Sequence, residues 1–208
     1  MKFRASIIIV VTLLCSQVFA ADQSYVFGSM RNGTYTNQQL GVKAYFSENW
    51  RILSHEEIAR LNAFDPSASS TMEKYKTGEI PFFYAMSTDN LAHVMIFLVN
   101  LGVMGGNAMT PKESKQAIDD AAQELTKMIT TSLNEAGFTD VKSKSVNVSL
   151  AGSKYAGFST SGKKQGVDMY QKAAICHKDE YLYCVSAMSI MNDITDKLLA
   201  MFKRTGSR

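Results

Sequence analysis

The clearest pattern in the chain is a run without polar interruption. Val94-Met95-Ile96-Phe97-Leu98-Val99 is apolar at every position, as expected of a strand covered on both faces. Pro81-Phe82-Phe83-Tyr84-Ala85-Met86 precedes it, and Asp89-Asn90 supply turn residues between the two. A hairpin is predicted there. A strand with two buried faces needs a layer on each side of its sheet, which calls for helices above and below.

A helical period follows. Thr110-Pro111-Lys112-Glu113 offers a capping Thr, a Pro at the first helical position and an acid in the first turn. Ala117, Ile118, Ala121, Leu125, Met128, Ile129 and Leu133 then recur at spacings of three and four, one buried stripe of a long helix. Gly137 is the expected left-handed cap, and Glu113, Asp119, Asp120 and Glu124 fall mostly on the solvated side.

Residues 141–150, 155–161, 167–177 and 181–189 next read as four strands joined by glycine-containing or charged turns. A last helix begins near Asn192 and carries Ile194, Leu198, Leu199 and Phe202. Upstream, residues 25–28 and 42–46 read as strands around an Arg31-Asn32-Gly33 turn signal. Ser54-His55-Glu56-Glu57 is a capping box opening a short helix with Ile58 and Leu61 on one side. Residues 72–76 suit a single helical turn. Hairpins dominate this order, so the predicted class is α+β, a largely antiparallel sheet sandwiched between helices.

The amino terminus changes the picture of where the domain lies. Lys2 and Arg4 precede an apolar run over residues 7–14, and Val18-Phe19-Ala20 gives small residues where a signal peptidase reads. The run is shorter than the roughly 20 residues that span a bilayer, so a cleaved export signal is expected rather than an anchor. Leu14 before Cys15 does not suit a lipoprotein signal. Cleavage after Ala20 leaves residues 21–208 as one domain in the periplasm or outside the cell. Without the leader, 20 Lys and Arg face 19 Asp and Glu. That balance, without a basic run, argues against nucleic acid as a partner.

Two cysteines stay in the mature chain, Cys176 and Cys184. An even pair in an exported protein reads first as a disulfide, here stapling a hairpin whose turn is Lys178-Asp179-Glu180. A metal reading through Cys176, His177 and Cys184 lacks a fourth ligand and the usual spacing.

Gly33-Thr34-Tyr35-Thr36-Asn37-Gln38-Gln39-Leu40-Gly41-Val42, with Phe46 and Trp50 after it, resembles the opening of PsbP-like domains, and the chain is similar to short exported proteins of the DcrB-like group. The resemblance implies an α/β/α sandwich around an antiparallel sheet, with binding or accessory roles and usually no catalysis. It carries over no functional residue. Tyr35, Asn37, Gly41 and Trp50 are read as packing and turn chemistry.

Candidate chemistry is sparse. His55, His93 and His177 are the only histidines, and none has a His or carboxylate at metal or triad spacing. His55 reads as part of a solvated helix start, His93 as the edge of the central strand, and His177 as part of the turn. Gly157-Phe158-Ser159-Thr160-Ser161-Gly162 is one residue longer than G-x-S-x-G, and Ser161-Gly162-Lys163-Lys164 fits S-x-x-K but falls in an expected turn. Gly102-Val103-Met104-Gly105-Gly106 precedes a helix but lacks the Lys-Ser/Thr of a phosphate loop. The methionines, Met188 and Met191 being a close pair, read as core filling.

No metal and no cofactor is therefore expected, and the chain is read as a non-enzyme: an exported interaction or accessory module with a protein partner. Leu101, Val103, Met104 and Met109 form the candidate contact loop, since Met adapts to varied partners. The alternative is a carrier of a small molecule or lipid, with its pocket between the sheet and the long helix. An enzyme of unrecognised type is the third reading.

Overall fold

The computed structural model describes residues 27–62, 75, 80–100, 111–179 and 181–206. The expected export signal, the expected contact loop with Leu101, Val103, Met104 and Met109, the expected cap Thr110 and most of the expected helical turn near residue 75 lie outside the described residues.

Eleven strands and three helices are described. In chain order they are β1 Ser29–Arg31, β2 Thr34–Asn37, β3 Val42–Tyr45, β4 Trp50–Ile52, α1 His55–Leu61, β5 Phe83–Ser87, β6 Ala92–Asn100, α2 Pro111–Glu135, β7 Thr139–Leu150, β8 Ser153–Lys164, β9 Val167–Lys178, β10 Tyr181–Ile190, α3 Thr195–Leu199 and β11 Phe202–Arg204. The larger sheet is seven-stranded in the order β4-β5-β6-β10-β9-β8-β7, and a four-stranded sheet runs β1-β2-β3-β11. Every pairing is antiparallel.

The class is α+β, as the alternating patterns require, but helices sandwich the large sheet only in part. α2 lies over β7, β8 and β9 on one face. Ile129 and Leu133 reach down to Phe158, Met169, Ala173 and Met188, and Ala122 meets Ile175 and Leu182. The opposite face is covered by the small sheet together with α1 and α3. There Tyr35, Val42, Ala44, Ile58, Leu199 and Phe202 join Val94, Ile96, Leu98, Tyr183 and Val185 in the largest cluster of buried side chains.

The reason for the difference is local. The expected closing helix stops at Leu199, and Phe202 pairs with Ala44 as the start of β11. The expected first strand is displaced too. Ser29–Arg31 forms β1, and Asn32 and Gly33, at φ 49° and 72°, make the tight turn into β2. A turn with both central residues at positive φ matches the twist of a hairpin.

Buried polar contacts tie the small sheet to the large one and brace the small sheet itself. Tyr183 Oη donates to Gln39 Oε1 at 2.7 Å. Tyr35, 1% exposed, donates its hydroxyl to the Phe27 carbonyl at 2.9 Å and accepts from Asn37 Nδ2 at 3.2 Å. Satisfied in this way, these groups escape the penalty of burying an unpaired donor or acceptor. Burial pushes the Tyr35 phenol above its ordinary range.

α1 and α2 follow the local signals. Ser54 Oγ accepts from Glu57 N at 3.2 Å while Glu57 accepts from Ser54 N at 2.9 Å, a reciprocal box. At the far end of α2, Phe138 N reaches Leu133 O at 3.0 Å across Gly137, which takes φ 81°.

One close approach sets the spacing of the central strands. A Cβ at Gly157 would stand 1.9 Å from the Ala173 carbonyl oxygen of β9. Overpacking against backbone cannot be relieved by a rotamer change, so Gly157→Ala is expected to cost about 2 kcal/mol or more. Urea unfolding followed by far-ultraviolet circular dichroism measures it. A loss within about 0.5 kcal/mol, the range of an ordinary surface substitution, would show that β8 and β9 separate freely.

Candidate functional site

The groups able to do chemistry are held in separate places, and most are taken up by the fold. His93 lies within β6, not at its edge, and is 7% exposed. Its Nε2 stands 3.1 Å from the Asn90 carbonyl oxygen and must donate to it. In the neutral ring, which burial favours, Nδ1 then accepts, and the Tyr84 hydroxyl donates to it at 2.9 Å. The imidazole is neutral with both nitrogens occupied, which leaves neither a lone pair nor a proton for a substrate. Burial lowers its pKa, against smaller opposing effects of the Asn90 hydrogen bond and the Asp89 charge. Burial also pushes the Tyr84 phenol up to about 12.

His55 Nε2 meets the Phe82 carbonyl oxygen at 3.1 Å, and its ring lies 5.0 Å from that of Tyr75. It is exposed at the first position of α1, as a solvated helix start requires. His177 is half-buried on β9, opposite Leu182. The three histidines do not converge. Among the described residues, no three His, Cys, Asp or Glu side chains are grouped so as to hold a metal ion.

The serine patterns fall differently from expectation. Residues 157–164 are all inside β8, so neither pattern sits on a sharp turn. Ser161 and Lys164 are three apart on a strand and point to opposite faces. Lys164 Nζ instead lies 5.1 Å from the centre of the Phe138 ring. Ser159 and Ser161 share the other face, across from Lys144 and Lys142 of β7.

The disulfide expectation needs correction. Both cysteines are free thiols. The expected hairpin is present, but Cys176 pairs with Tyr183, and Cys184 with Ile175. Neighbouring positions of a ladder point to opposite faces, so Cys176 joins the core beneath the small sheet while Cys184 packs on the α2 side. Burial raises the pKa of both, with the Cys184 thiol pushed up to about 12.

The residues that carry the family resemblance build a corner. Asn37 Oδ1 accepts from Leu40 N at 2.7 Å, and its carbonyl accepts from Gly41 N at 3.0 Å. Gly41 takes φ 74°, a conformation costly for a side chain. Trp50 is half-buried and meets Phe46 edge-on with ring centres 5.4 Å apart. This corner leads into Gln39, whose bond to Tyr183 ties the small sheet to the large one. The polar residues at 37–39 marked the turn, but nothing in the local sequence linked Gln39 to a tyrosine 144 positions away.

Between α2 and the sheet, Ile129, Leu133, Phe158, Met169 and Met188 pack together. Met188 is 9% exposed and lies in that layer, whereas Met191 is 59% exposed, so the two methionines do not act together. Gln171 Nε2 donates to Ser186 Oγ at 3.0 Å. Its buried Oε1 has no protein partner among the described residues.

The chain matches no known protein family and no curated protein. A similar solved structure is that of LpqN, involved in cell envelope biogenesis of Mycobacterium tuberculosis, at 11% identity and a TM-score of 0.35, covering 76% of this chain and 75% of that one. A likeness of that degree carries no argument about fold or role. Among the described residues, no helix is long and apolar enough to cross a membrane.

Two outcomes follow. The unfolded chain binds a proton at His93 near pH 6.5, while the folded protein resists it because burial lowers the pKa. Stability is therefore fully present above about pH 6.5 and declines as pH falls below it. Melting temperature followed from pH 7.5 to 5 should fall, and His93→Gln should flatten the slope. An unchanged slope in the variant would remove His93 as the cause. For the cysteines, iodoacetamide should leave Cys176 and Cys184 unmodified in the native protein and label both after unfolding without reductant. A peptide containing the two cysteines joined would contradict the register.

Proposed function

We propose that this chain is an exported, non-catalytic interaction module whose partner is a protein. The observation that carries the reading is that the reactive groups are used internally. His93 is saturated by Tyr84 and Asn90, the two thiols sit on opposite faces of one hairpin, and Ser161 and Lys164 diverge along β8. What the fold offers outward is strand and surface. The periplasm or the cell exterior is the proposed compartment, on the strength of the leader at residues 1–20.

The carrier reading has one observation in its favour, the unpartnered Gln171 Oε1 under α2. Against it, Ile129, Leu133, Phe158, Met169 and Met188 take up the same layer. A single buried acceptor among such side chains is on the scale of one water molecule rather than a lipid or metabolite.

Native mass spectrometry of the protein isolated gently from its own compartment, without reductant, tests the two together. A protein-sized increment is the expected result. A retained increment of a few hundred daltons would favour the carrier reading and overturn this one.

A further inference from the structure

The large sheet ends differently on its two sides. β4, at one edge, is three residues long, and Arg51 on it pairs with Glu57 of α1. β7, at the other edge, runs for twelve residues and, among the described residues, pairs only with β8. Among the described residues nothing is hydrogen-bonded along its outer side, and most of its positions are exposed or half-exposed. Long open edges are unusual, because a row of unpaired N–H and C=O groups is a template for another strand.

The side chains of β7 say which strand fits. Lys142 and Lys144 are two apart, so they project to the same side of the sheet, and both are exposed. Neither has an ion-pair partner among the described residues. Their β8 neighbours are Ser161 and Ser159, which are uncharged, while the nearby Lys163 and Lys172 are already paired with Asp168 and Asp196. Asp140 lies within the register shift between Thr139 and Lys142 and takes φ 54°, so it is out of step with the two lysines.

A second copy of the chain suits this edge poorly. Antiparallel pairing centred on Ser143 would set Lys142 of one copy against Lys144 of the other, and like charges directly opposite are destabilising. A strand with acidic residues at alternate positions has the complementary pattern. We propose that β7 takes up an extended, acidic segment of a partner protein as an eighth strand. Main-chain hydrogen bonds hold it along residues 142–148, and carboxylates meet Lys142 and Lys144. This deepens the interaction-module reading and rests on it.

The test uses the full mature chain and a fluorescent ten-residue peptide in which glutamate alternates with valine and threonine. Anisotropy titration at low salt should show saturable binding, and hydrogen exchange should slow along residues 142–148. Lys142→Glu with Lys144→Glu, both at exposed positions, should weaken the acidic peptide about tenfold or more while leaving the melting temperature unchanged. The same variant should gain affinity for a peptide with lysine in place of glutamate. Two peptides N-methylated in opposite alternation separate strand addition from surface charge, because only one phase removes the donors that face β7.

Equal binding of the two methylated peptides, protection appearing away from β7, or no binding at millimolar peptide would overturn the proposal. So would dimerisation of a Lys142→Thr, Lys144→Thr variant alongside a wild-type chain that ignores the peptide, since the lysines would then only guard against self-pairing. A natural protein partner that stays attached to the double variant would remove the edge and leave the interaction module standing. Absence of both peptide and protein partner would remove both.

Discussion

Burial of the central strands on both faces is the constraint from which the rest of the structure follows. β10 lies between β6 and β9. Tyr183, Val185 and Ala187 are buried on one of its faces and Leu182, Ser186 and Met188 on the other. β6 repeats this with Val94, Ile96 and Leu98 against His93, Met95 and Phe97. Strands of that kind are stable only between two covers. α2 forms part of one cover, and the small sheet with α1 and α3 forms the other. The polar groups caught between layers had to find partners there. Tyr183 found Gln39, Ser186 found Gln171, and His93 found Tyr84 and Asn90. The same demand that made the core withdrew most of the chain's reactive groups from chemistry.

Legibility followed the strength of the periodic signal. The run at residues 94–99 and the stripe from Ile118 to Leu133 are long enough to outweigh local ambiguity, and β6 and α2 lie where they pointed. The small sheet was harder to see. Strands of three and four residues such as β1, β2 and β11 hold too few alternations to show a period. Phe202 fits a helical stripe after Leu198 and Leu199 by spacing alone. Its place on β11 depends on Ala44, far away in sequence.

The cysteines show how small the missing information was. A three-residue turn at Lys178-Asp179-Glu180 would leave Cys176 and Cys184 on the same face. In the structure Lys178 pairs directly with Tyr181, and Asp179 begins the turn at φ 54°. One residue fewer in the turn shifts the register by one, and every side chain of one strand changes face relative to its partners. The local sequence identified the hairpin without settling that parity. His93 was obscured for a related reason: a strand that begins at Ala92 rather than Val94 draws the histidine into the core.

The covers also explain the unequal edges. On the small-sheet side of β7, Val146, Val148 and Leu150 meet the core, while Lys142 and Lys144, further along the same face, are exposed; α2 packs on the opposite face, where Val141 joins its cluster. The stretch with the two lysines is nevertheless held in strand conformation by its pairing to β8, and β8 is in turn paired to β9 from Gly157 to Lys164. A partner segment that adds to β7 must order itself but meets a backbone already in place, which lowers the cost of association. Charge then does the selecting. The two lysines disfavour a copy of the same edge and favour carboxylates, so the feature that protects the protein from aggregation is the one that gives its edge a preference.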